Sequence, residues 1–292
     1  MDRIRIFGTP MEPIFNHKDV GMSPDLLQEW LVTLLNCNLE QIQSSHVDQG
    51  IFRAGCPTEI IFLTCEKLKT APDAKYAAAE IFDSFMFKHI EDLRKHVQKS
   101  ASHQKKKDWE AIMGRVVSVA RAKKYLLELG HRYASESILQ SEIRILKTLD
   151  FNVSPASTLV YVETILEVLG HNCPGIEVKM YHGVALRVLD LVYLKYNQVY
   201  SVLFQVTVRK EKPSDKEKQA FKNVRSDKLL LAVSVIACVV HIAEQHNTVK
   251  IVEQLSQITQ IPSDDIVDLA SVIIQQLNSE EDNSSSAISK PT

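Results

Sequence analysis

Along most of this chain apolar residues recur at the three- and four-residue spacing of an amphipathic helix. The clearest stripe is Leu139, Ile143, Leu146 and Leu149, with Glu136, Glu142, Arg144 and Lys147 lying off it. This predicts a helix that ends near Phe151-Asn152, because Pro155 disfavours helical geometry at Ser154. A second apolar helix is expected from about 156 to 169. A helix, a sharp break and another buried helix is how a chain passes from one helical bundle to the next.

The same pattern continues on both sides. Residues 1–23 hold Gly8, Pro10, Pro13 and Gly21 without lasting periodicity and read as an irregular arm. Ser23-Pro24-Asp25 opens a helix, with Ser23 as N-cap and Pro24 at its first position. Leu26, Leu27, Trp30, Leu31, Leu34 and Leu35 give that helix its apolar face. Helices are predicted at 57–69, at 76–89 after the break Ala71-Pro72-Asp73, and at about 109–129. Further helices are expected at 156–169, 177–204, 227–245, 249–259 and 263–277, the last capped by Ser263. Residues 91–108 read as a polar, basic connection and 207–226 as a long charged loop. The tail 279–292 is polar and expected to be disordered.

The composition narrows the class. Hydrophobic residues make up 45% and charged residues 24% of 292, ordinary for a globular protein with sizeable cores. Few alternating strand patterns accompany the apolar stripes, so the fold class is all-α. Leu229 to Ile242 is the most apolar run, shorter than the about 20 residues a membrane span needs, and reads as a helix buried on most sides. No signal peptide is visible, and no membrane association is expected. Five scattered cysteines, at 37, 56, 65, 173 and 238, fit reduced thiols. A formal net charge of −2 supplies no global pull toward nucleic acid.

The run ILQSEIRILKTLDFNVSPASTL resembles the end of one cyclin box and the entry to a second. Glu142, Leu146-Lys147, Leu149, Phe151 and Pro155 stand at places matching the pattern of the cyclin superfamily. EKLKTAPDAKYAAAEIFDSFM is similar to the first-to-second helix passage of a box, and VVSVARAKKY to its third helix. The resemblance covers roughly 50–277 and is weakest in the second half. It implies two consecutive cyclin-like helical boxes: an arm and helix over 1–49, a first box over 50–153 and a divergent second box over 154–278. Within the superfamily the chain most resembles the cyclin N-terminal-domain-containing proteins, divergent germ-cell members rather than mitotic ones.

From the same resemblance, Lys124 and Glu142 would bind a cyclin-dependent kinase. An ammonium offers donors to kinase carbonyls and a carboxylate accepts backbone N–H bonds, both charge-assisted. Periodicity alone reads both as solvated charges. The substrate-docking patch of cell-cycle cyclins has no clear counterpart, since Arg53-Ala54-Gly55-Cys56-Pro57-Thr58 stands in its place. Lys105, Lys106 and Lys107 could serve nuclear import or a basic contact, although a solvated loop is the simpler reading. His171-Asn172-Cys173 lacks a second ligand pair at metal spacing, so no metal and no cofactor is expected. There is no phosphate-binding glycine loop, nucleophile elbow or HExxH, which argues against an enzyme.

Three functional classes stay open. One is a kinase-binding regulator, implied by resemblance to act in the nucleus (the cytoplasm is also open to it) on meiotic recombination intermediates that mature into crossovers. Another is a kinase-independent adaptor bridging recombination and ubiquitin-ligase factors. The third, disfavoured by charge, is a nucleic-acid-binding double box.

Overall fold

The structure is a computed structural model that describes residues 23–46, 49–53, 55–100, 135–153, 156–173, 175–208 and 214–288. Among these, every regular element is helical. The α-helices are α1 (Pro24–Ser44), α2 (Gly55–Leu68), α3 (Pro72–Ser100), α4 (Ser135–Thr148), α5 (Thr158–Asn172) and α6 (Val178–Leu194). They continue as α7 (Tyr196–Val208), α8 (Asp215–Ser226), α9 (Lys228–Ala243), α10 (Thr248–Thr259) and α11 (Ser263–Ile288). The all-α class read from the sequence is what the chain adopts.

Helix α9 is the axle. Every residue from Lys228 to Val240 is buried, which only a helix apolar on nearly all sides can tolerate. Around it pack α5, α6, α10 and α11. Asp227 caps it, its side chain accepting from the Leu230 N–H at 2.8 Å. Among the described residues no single helix is long and apolar enough to cross a membrane. The pair α8 and α9 passes that test by composition when taken together, with a 66° bend, but α9 spends its apolar surface on its neighbours.

Helix α1 is tied to this bundle by hydrogen bonds at three points along its length. Trp30 Nε1 donates to Thr164 Oγ1 at 3.1 Å, and the Tyr161 hydroxyl donates to the Leu34 carbonyl at 3.1 Å. Asn38 donates to Asp227 Oδ1 at 2.9 Å and accepts from the Lys228 N–H at 3.0 Å. The Ser23 cap and Pro24 start are as the sequence predicts.

Four expectations need correction. The 177–204 helix is two, broken at Lys195, which lets α7 turn Tyr196 and Tyr200 into the core. The charged loop 207–226 holds a full helix, α8, because Ser214 and Glu217 form a reciprocal capping box. Helix α3 runs to Ser100 rather than His89, with Lys95 pairing back to Glu91 at 3.1 Å on its exposed face. Helix α11 continues through the polar tail to Ile288, and Ser263 is its first residue rather than its cap. The helix expected at 109–129 lies outside the described residues.

Gly50 shows how tightly the turn ahead of α2 is set. It sits at φ +92°, and a Cβ there would lie 2.6 Å from Tyr196 Cε1. Only glycine has both the backbone freedom and the missing side chain this approach requires. Gly50→Ala is expected to destabilise the fold by about 2 kcal/mol, read as a lowered denaturant midpoint with unchanged slope.

Candidate functional site

Of the candidate kinase-binding and basic-contact residues, Glu142 lies among the described residues. Lys124, Lys105, Lys106 and Lys107 lie outside the described residues. Glu142 is exposed on α4, and α4 rests chiefly on α3 among the described elements. Two polar clasps hold the pair together: Lys88 Nζ to Asp150 Oδ2 at 2.8 Å, and Arg144 to His89 Nε2 at 3.3 Å. The Lys88 bond and charge hold the Asp150 carboxyl below its usual range, against a small burial penalty. His89 in turn stacks on Phe85, with centroids 5.5 Å apart. These contacts fix α4 by one edge and leave Glu142 facing outward.

The apolar stripe of α4 is only partly used. Leu149 is buried, but Ile143 remains 41% exposed. The helix then ends in two consecutive left-handed residues, Asp150 (φ 52°) and Phe151 (φ 58°), the Phe151 N–H bonding to the Leu146 carbonyl at 2.8 Å. A phenylalanine in that conformation costs roughly 1–2 kcal/mol, and here it holds the ring 69% exposed. Strain that keeps a large apolar side chain in water is the kind found at binding sites. The sequence stripe shows the apolar positions; it does not show that Phe151 is turned outward.

Beneath this face lies a buried polar network that the sequence reading does not identify. Asp83 on α3 accepts from the N–H of Gly50 at 2.7 Å and of Phe52 at 3.0 Å, so it caps the turn leading to α2. Arg53 lies 3.8 Å from the same carboxylate and 4.7 Å over the Tyr196 ring. One helical turn away from Asp83, Glu80 receives Lys228 Nζ at 2.6 Å and the Tyr193 hydroxyl at 2.5 Å. Lys228 also donates to the Ala156 carbonyl at 2.7 Å. Glu80 and Lys228 are 7% and 5% exposed.

The two carboxylates respond differently to burial. At Asp83 desolvation outweighs Arg53 and the two backbone donors, and its carboxyl is pushed up. At Glu80 burial also opposes ionisation, but Lys228 and Arg53 outweigh it, so its carboxyl is held below the usual 4.5. Burial raises the Tyr193 hydroxyl well above its ordinary value, with Glu80 adding to the effect, so Tyr193 remains a donor. The arrangement positions helices; it offers no nucleophile beside a base. No cluster of three or more metal-ligating side chains exists among the described residues.

A lowered folded-state value makes ionised Glu80 a source of stability above the ordinary glutamate value of 4.5, lost as pH falls through the lower folded value. Glu80→Gln leaves Lys228 buried without its counter-charge, and is expected to cost about 3–5 kcal/mol at pH 7. Denaturant titrations of wild type and Glu80→Gln should show that gap at pH 7 and a smaller one at pH 3. An equal gap at both would assign the loss to packing instead.

Comparison with known proteins agrees with the cyclin-like reading. The chain is 26% identical to the human (Homo sapiens) protein named Cyclin N-terminal domain-containing protein 1, over 279 aligned residues covering 87% of this chain and 84% of that protein. It is 28% identical, with the same coverage, to the mouse (Mus musculus) protein of that name. No family model matches the chain, and no solved structure matches it. The chain is thus similar, over most of its length, to proteins whose name carries the cyclin domain that the sequence motifs resemble.

Proposed function

We propose that this cyclin-like chain is a non-catalytic regulatory protein that binds a cyclin-dependent kinase through the face of α4 carrying Glu142. The observation that carries the reading is what this helix and its C-terminal turn leave exposed. An exposed carboxylate stands on the same helix as exposed Ile143, with Phe151 held outward by a left-handed turn at its end. Exposed charged acceptors and exposed apolar anchors are what a protein interface uses for register and for affinity respectively. Lys124 would supply the complementary donor, by resemblance to the family. The process served would be nuclear: maturation of meiotic recombination intermediates into crossovers, again by resemblance.

One observation favours the adaptor reading, in which recombination and ubiquitin-ligase factors are bridged without a kinase. Arg53, in the stretch where cell-cycle cyclins carry their substrate-docking patch, is buried against Asp83 and Tyr196. Gly55, where α2 starts, lies under the Leu194 carbonyl, 3.2 Å from where a Cβ would be. That stretch serves packing here.

The test is affinity purification from expressing cells of wild type and of the pair Lys124→Glu, Glu142→Lys, both checked for helix content by circular dichroism. Kinase protein and phosphate transfer are expected with wild type and should fall at least tenfold with the folded double variant. Recovery of recombination factors by both proteins, with no kinase in either eluate, would replace the regulator by the adaptor.

A further inference from the structure

Between α7, α8 and the turn ahead of α2 runs an open groove of about 430 Å³, within the roughly 300–1,000 Å³ typical of ligand sites. Its apolar wall is aromatic. Phe204 and Phe221 meet edge to face with centroids 4.7 Å apart, and Tyr200 packs on Phe221 at 6.5 Å. Ile51, exposed, also lines it. The polar positions are Asn197, Ser201, Lys218 and Arg225. No lining residue is acidic.

The two cations are unequally committed. Lys218 reaches Asp215 only at 3.5 Å, and both side chains are solvated, a pairing worth little. Arg225 makes no direct ion pair among the described residues, and the buried Asp83 carboxylate acts on it only at longer range. Its Nη2 meets Asn197 Oδ1 at 3.4 Å, its guanidinium lies 5.7 Å over the Tyr196 ring, and its buried Nε has no hydrogen-bond partner. A half-buried guanidinium with no direct ion pair and an unbonded Nε, beside an aromatic slot, is complementary to a carboxylate next to an apolar side chain.

We infer that this groove docks an acidic peptide segment of a partner protein, its apolar side chain seated on Phe204 and Phe221 and its carboxylates on Lys218 and Arg225. The site uses α7 and α8, and neither α3 nor α4 lines it, so it is separate from the Glu142 face and does not depend on the kinase reading. A chain with both faces could hold a kinase and a substrate or scaffold segment together.

Two variants test the groove without disturbing the core. Ser201 is exposed, so Ser201→Trp fills the groove from its rim, and Lys218→Glu reverses the charge at its mouth. The full chain would be probed on an array of seven-residue peptides with a central Phe, Leu or Ala flanked by Glu, Ser or Lys, together with a peptide of residues 1–22. Hits would be measured by fluorescence anisotropy at 50 and 300 mM salt. The proposal expects peptides with a central Phe or Leu and Glu flanks to bind, at least tenfold more weakly with Lys flanks, in either folded variant and at the higher salt. It is overturned if no acidic peptide binds, if Ser201→Trp binds as wild type does, or if flanking charge makes no difference. Binding of the 1–22 peptide alone would make the chain's own arm the occupant. A drop in solution mass on Ser201→Trp would make it a second copy. Either result also overturns the proposal.

Discussion

A lysine ammonium buried at the start of an otherwise apolar helix must find a counter-charge or unfold its surroundings. Lys228 finds Glu80 at 2.6 Å, and much else in the molecule follows from that pairing. It fixes α3 against the base of α9, the most deeply buried helix. Tyr193 and Thr158 also converge on the same site, Thr158 through the Tyr193 hydroxyl at 2.9 Å, so α5 and α6 are drawn in. Asn38 bonds to the backbone of Lys228 itself, which brings α1 to the same point. Helices from both halves of the chain therefore share one polar centre.

That centre bears on function through α3. Helix α4 leans on α3 through Lys88–Asp150 and Arg144–His89, so the placement of Glu142 is inherited from the helix below. A partner reading Glu142 with Ile143 and Phe151 would be reading a surface whose rigidity is set by the buried network. At the other edge, Arg53 and Arg225 both lie over Tyr196, and Arg225 carries the same aromatic frame outward into the α7–α8 groove.

The sequence showed the helices better than their ends, and the ends better than the network. The Ser23-Pro24 start of α1 and the buried character of 229–242 are legible because cap chemistry and all-round apolarity are local signals. The capping box of α8 was equally local: Ser214-Asp215-Lys216-Glu217 carries the signature, yet the surrounding charge suggested a loop. The break at Lys195 has no proline or glycine to announce it; the tertiary demand to bury Tyr196 and Tyr200 decides it. Glu80, Asp83, Arg53 and Lys228 are ordinary charges in one dimension, and only folding brings them into contact. Lys228 alone offered a hint, as a cation in the first turn of a helix with no polar face to receive it. For Glu142 the sequence periodicity accounts for its exposure alone.

The Glu80–Lys228 pair anchors α3, and through α3 the helix that bears Glu142. Hydrogen exchange followed by mass spectrometry on wild type and Glu80→Gln tests it most directly. Peptides from α3 and α4 are expected to lose protection together in the variant, while α10 and α11 exchange as in wild type. Uniform loss across all helices, or unchanged protection of α4 despite a loosened α3, would contradict it.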